Sequence, residues 1–63
     1  MPIVHVELYE GRTKEMKQQV VDAITDDLTR ILGCKPEAVT IIFTDTRKDN
    51  WAKAGVFACD QPK

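Results

Sequence analysis

Two β-strand patterns bracket one long amphipathic helix, and that order leaves few folds open to the chain. Residues 3–9, Ile-Val-His-Val-Glu-Leu-Tyr, alternate so that Val4, Val6 and Leu8 share one face while Ile3, His5, Glu7 and Tyr9 share the other. The later run Val39-Thr40-Ile41-Ile42-Phe43-Thr44 is rich in β-branched residues, with Val39, Ile41 and Phe43 opposing Thr40, Ile42 and Thr44. Between them Met16, Val20, Ala23, Ile24, Leu28 and Ile31 recur at helical spacings, while Lys14, Lys17, Gln18, Asp22, Asp26 and Arg30 fall on other faces. Thr13 is placed to cap the helix N-terminus, Glu15 lies near the positive end of its dipole, and Gly33 is positioned to end it. A strand, a helix of about five turns and a second strand form a right-handed crossover with the strands parallel. Beyond it Asp45–Lys53 reads as polar and turn-rich, and a short last strand or hairpin arm is expected at about Val56 to Cys59, followed by a frayed tail. The fold class is therefore α/β (α+β), a β-α-β protomer with two parallel strands, one long helix and a short C-terminal strand or hairpin.

Such a unit leaves one sheet face and two strand edges unsatisfied, which parallel sheets seldom tolerate. The 63 residues make a single domain, 1–63. Burial in a chain of this mass stabilises by about 90 kcal/mol. Ordering the chain costs about the same, so a lone protomer is marginal. Cys34 and Cys59 make at most one bridge, and with His5 as the sole histidine no cluster has metal-ligand spacing. The cysteines are expected to be buried, inert thiols, no metal is expected, and self-association is the expected source of the missing core.

Nine basic against ten acidic residues, a net charge of −1, provide no cationic stripe for nucleic acid. The apolar runs are too short to span a membrane, and no basic segment followed by an apolar one opens the chain, so a cytoplasmic protein is expected. Gly11 and Gly55 belong to no phosphate-binding pattern.

Several residues carry chemistry. Pro2 directly precedes a strand and is held by it. Removal of Met1 would make Pro2 a terminal secondary amine, a base that desolvation and a nearby cation keep neutral at physiological pH. Arg12 follows a glycine turn at the end of the first strand, where a guanidinium grips a carboxylate bidentately. Arg47, Lys48 and Asp49 lie in the polar loop before Trp51, whose ring offers an apolar wall to a planar unsaturated ligand. Tyr9 lines either a pocket or an interface. His5 has no partner residues for a triad and reads as structural.

Met1-Pro2-Ile3, Glu10-Gly11-Arg12-Thr13, the single long helix and Arg47-Lys48-Asp49-Asn50-Trp51-Ala52-Lys53-Ala54-Gly55 together resemble the small tautomerases of the 4-oxalocrotonate tautomerase family, over nearly the whole chain. The resemblance implies dimers assembled into a homohexamer, a trimer of dimers, with no cofactor and no metal. It implies Pro2 as general base in keto–enol interconversion of small unsaturated 2-hydroxy or 2-oxo acids, a small-molecule carboxylate held by Arg12, and Trp51 as the pocket aromatic. The best-known members carry a second arginine in the second strand that polarises the substrate's carbonyl end; here that position is Thr40, and Arg47 or Lys48 is available to substitute. Two other readings stand beside this one. A haloacrylate dehalogenase or hydratase of the same superfamily needs a carboxylate to position water, for which Glu7, Glu10 and Asp45 are available; a non-catalytic oligomeric binding module would keep Met1.

Overall fold

The pairing of two seven-residue strands organises the computed structural model, which describes residues 1–61. Strand β1 (Ile3–Tyr9) is followed by helix α1 (Lys14–Leu32) and strand β2 (Thr40–Thr46). The strands are parallel, in register from Ile3 opposite Thr40 to Tyr9 opposite Thr46. The register extends one bond past each end: the Thr40 N–H donates to the Pro2 carbonyl at 3.0 Å, and the Glu10 N–H to the Thr46 carbonyl at 3.0 Å.

Local chemistry sets the ends of α1. Extended Thr13 accepts the Met16 N–H on its hydroxyl at 3.2 Å, satisfying one of the helix's unpaired donors. At the other end Gly33 adopts the left-handed conformation, φ 73°, and donates its N–H to the Thr29 carbonyl at 3.1 Å. After β2, strands β3 (Ala52–Lys53) and β4 (Val56–Phe57) pair antiparallel across the two-residue turn Ala54-Gly55, whose φ values of 53° and 81° are those of a primed hairpin turn. Short 3₁₀ turns fill the gaps at Pro36–Ala38, Lys48–Asn50 and Ala58–Asp60.

The helix covers one sheet face. Val4, Val6 and Leu8 of β1 and Ile41 and Phe43 of β2 are half-buried on that side, and Ile3, His5, Glu7, Ile42 and Thr44 are exposed on the other. The Lys17 ammonium ties the first turns of α1 to the end of β2 through Asp45 Oδ2 at 2.7 Å, and lies 5.7 Å from the centre of the Phe43 ring. No residue among those described is fully buried. No described helix is long and apolar enough to cross a membrane.

Four expectations are corrected. The helix turns Lys17, Val21, Ile24 and Leu28 toward its own sheet, whereas Met16, Val20, Ala23 and Ile31 are exposed. The helix carries two apolar stripes about a quarter-turn apart, and the sheet takes only one. Strand β2 begins at Thr40, since Val39 closes the preceding 3₁₀ turn with its N–H on the Pro36 carbonyl, and runs on through Asp45 and Thr46 because β1 offers Leu8 and Tyr9 as partners. The polar stretch to Lys53 contains β3, while Ala58 and Cys59 belong to a 3₁₀ turn rather than to β4. Cys59 is exposed there, and Cys34 is half-buried with its thiol 3.6 Å from the Leu28 carbonyl. Of the expected tail, residues 62–63 lie outside the described residues.

Candidate active site

Parallel pairing sends the chemistry-bearing residues to opposite ends of the sheet. Pro2, half-buried, and Thr40, exposed, are hydrogen-bonded neighbours at the end where β1 and β2 begin. Tyr9, Arg12, Arg47 and Trp51 all lie where those strands finish. Seven residues of parallel strand separate Pro2 from Tyr9, a span of about 23 Å. One protomer therefore cannot bring Pro2 to Arg12 or Trp51.

The far end is a built wall. Trp51 is held extended between the 3₁₀ turn Lys48–Asn50 and β3, and its carbonyl accepts the Ala58 N–H at 2.6 Å. Its ring meets Tyr9 edge to face, with centroids 4.7 Å apart and planes at 64°. A cleft of about 300 Å³ is lined by Glu7, Thr46, Asn50, Trp51 and Ala52. A second hollow, of about 100 Å³, is lined by Tyr9, Trp51, Lys53, Val56, Ala58 and Gln61.

Charge at this end is unevenly engaged. Arg12 is exposed and has no carboxylate partner among the described residues. Arg47 Nη2 lies 2.7 Å from Asp49 Oδ2, and Lys48 Nζ stands 5.4 Å from the centre of the Tyr9 ring. Asp45 is held by Lys17, whereas Glu7 lines the larger cleft without an ion pair among the described residues. His5 Nε2 is 2.8 Å from the Thr44 hydroxyl on the open sheet face.

Sequence reasoning did not single out Thr46, Asn50 and Ala52 as cleft residues. Thr46 was legible in principle, because extending the alternation of β2 by two residues puts it beside Tyr9. Asn50 and Ala52 depend on the turn that swings Trp51 back over the strand end.

A family model described as "Tautomerase enzyme" matches residues 2–60. The chain is 36% identical over 61 residues to a probable tautomerase of Staphylococcus epidermidis, covering 97% of this chain and 100% of that one. It is 36% identical over 55 residues to the 2-hydroxymuconate tautomerase of Bacillus subtilis, covering 87% and 89%. A crystal structure of a 4-oxalocrotonate tautomerase homologue superposes with a TM-score of 0.89 at 36% identity, each chain covered to 100%. With the β-α-β unit, the tautomerase model over nearly its full length and these relatives in agreement, the chain belongs to the 4-oxalocrotonate tautomerase family.

Proposed function

We propose that the protein is a cofactor-independent keto–enol tautomerase of small unsaturated 2-hydroxy or 2-oxo acids, with Pro2 as general base, working as a homohexamer built from dimers. Membership of the tautomerase family supports a tautomerase, hence an isomerase. The observation that carries the finer reading is the split of the site residues between the two ends of one sheet. A copy packed antiparallel to the first puts the proline end of one beside the Tyr9–Trp51 end of the other. The open edges of β1 and β2, the exposed stripe of α1 and the uncovered sheet face all favour such copies.

In the assembled site the carboxylate of the substrate lies on Arg12, and its conjugated carbons lie against Trp51 and Tyr9. Met1 is 83% exposed and accessible for removal. Its loss converts the Pro2 nitrogen from a tertiary amide, which has no basic lone pair, to a secondary amine. That nitrogen takes a proton from the enol hydroxyl or one carbon and delivers it to another carbon. The apolar wall and the Arg12 charge both favour the neutral amine over the ammonium form. Arg47 or Lys48, and the hydroxyl of Thr40 from a further copy, are the groups available to the substrate's other end.

The test is ketonisation of phenylenolpyruvate and 2-hydroxymuconate by protein whose N-terminus is confirmed by intact mass, with Pro2→Ala alongside. Activity confined to the chain lacking Met1, and lost in Pro2→Ala, is the expected result. Equal turnover by the variant rules out Pro2 as the base, and inactivity of fully processed protein favours the dehalogenase or hydratase reading and, after it, the non-catalytic module. A hydratase or dehalogenase reading has one observation in its favour, the Glu7 carboxylate in the cleft beside Trp51, which has no ion-pair partner among the described residues. Halide release from 3-chloroacrylate that is lost in Glu7→Gln would support it.

A further inference from the structure

Of the two adjacent cations in the loop after β2, one is paired with a carboxylate and the other is not. The Arg47 guanidinium has its charge matched by Asp49 at 2.7 Å. Lys48 has no carboxylate partner among the described residues, and its ammonium is stationed over the Tyr9 ring at 5.4 Å from the centroid. Tyr9 in turn meets Trp51 edge to face at 4.7 Å, so ammonium, phenol and indole form one continuous surface. A ring face attracts a cation without using its N–H donors. Lys48 is therefore held at the wall with its hydrogen-bonding capacity intact. Arg12 leaves the same end of the sheet from the end of β1, and it too is unpaired. At the opposite end the start of β2 supplies only the Thr40 hydroxyl.

Lys48 over the Tyr9 ring and Arg12 at the same end of the sheet, with Lys53 beside them in the hollow next to Trp51, suit an anion charged at both ends, and Lys48 alone of the three stands on a ring face. We infer that Lys48 is the residue that receives the second carboxylate of an unsaturated dicarboxylic acid, and that it sets the preference between dicarboxylate and monocarboxylate ligands. This rests on the reading above, in which Arg12 and Trp51 hold the first carboxylate and the conjugated carbons. A lysine differs from an arginine in this role. It is a point charge on a flexible four-carbon stem and lacks a rigid fork, so it selects for charge and tolerates some variation in the distance between carboxylates.

Trp51 is the only tryptophan in the chain, so its fluorescence reports on the wall directly. The probes are trans,trans-muconate and sorbate, which share a six-carbon diene chain and differ in having a carboxylate or a methyl at one end. Their titration requires no turnover, which separates this test from the test of Pro2 as base. The Lys48→Met variant is expected to bind muconate about tenfold more weakly, the lower range for a charged hydrogen bond at an open site. Sorbate affinity is expected to stay within about twofold and Lys48→Arg to recover most of the loss, because charge and not shape is read. Equal muconate affinity in Lys48→Met overturns the inference, as does an equal loss of both ligands or a selective loss found in Arg47→Met or Lys53→Met instead. Absence of any Trp51 response to muconate in the unsubstituted protein overturns it too. Muconate binding that depends on Lys48, in a protein whose Pro2→Ala variant keeps its activity, would uphold Lys48 and reject only the base.

Discussion

Replacing Ile42 with aspartate tests whether further copies of the chain cover the open face of the sheet. Ile42 lies opposite His5 on the side of β2 turned from α1 and is 46% exposed; Ile3 on the same face is 58% exposed. The described residues expose 5154 Å², against about 4,100 Å² for a compact monomer of this mass. The Cα radius of gyration is 14.9 Å, where a compact chain of this length has about 10.6 Å. The excess area is on the scale of the roughly 800 Å² that each partner contributes to an ordinary interface. If the face stays in water, the substitution alters one half-exposed strand position and costs at most about 1 kcal/mol. If another copy covers it, the loss is larger. The half of Ile42 still exposed in the protomer contributes about 1 kcal/mol when buried. An unpaired carboxylate in its place adds several kcal/mol of desolvation. Together these exceed about 4 kcal/mol per copy, roughly a thousandfold in association. Sedimentation velocity at micromolar concentration is the assay. The unsubstituted protein is expected to sediment as a multiple of 7.1 kDa and Ile42→Asp as a smaller species with a lower melting temperature. A single-chain mass for the unsubstituted protein, or an unchanged multimer in the variant, refutes the reasoning.

Gly33→Ala is expected to destabilise the fold by about 1 kcal/mol, purely through the backbone, since φ is 73° and a Cβ there meets nothing within 4 Å. Gly33→Asn should lose less; chemical denaturation at fixed protein concentration checks both, and equal stability of the alanine variant would refute the cap assignment. Thr40→Arg is expected to raise turnover of 2-hydroxymuconate relative to phenylenolpyruvate by about tenfold, the value of one added charge-assisted contact. An unchanged ratio means that Thr40 does not face the distal end of the substrate.

The parts of the fold legible in the sequence are those decided by near neighbours. Thr13 and Gly33 mark the ends of α1 because a cap and a left-handed residue act within one turn, and alternation in β1 acts within a strand. What escaped was decided between elements. Asp45 is a poor strand former that interrupts the β-branched run, and it and Thr46 join β2 because Leu8, Tyr9 and Lys17 meet them there. The spacing picked out Ile24 and Leu28, but the two stripes of α1 differ little in composition, so nothing along the chain adds Val21 to them or removes Met16, Val20 and Ile31.

The candidate site divides in the same way. Pro2, Arg12 and Trp51 stand out by residue type and position. Their separation follows from strand length alone, since a seven-residue strand carries Pro2 and Tyr9 about 23 Å apart in any register. The state of the loop cations could not be read that way. Arg47 and Lys48 are adjacent and carry the same charge, and Asp49 follows both. They part because Arg47 is extended, at φ −69° and ψ 148°, while Lys48 opens the 3₁₀ turn to Asn50. That turn brings Asp49 back to the Arg47 guanidinium at 2.7 Å, while the Lys48 stem runs to Tyr9. A single reversal of the chain thus neutralises one cation and leaves its neighbour at the aromatic wall, a distinction that lies in three residues of backbone and not in charge or composition.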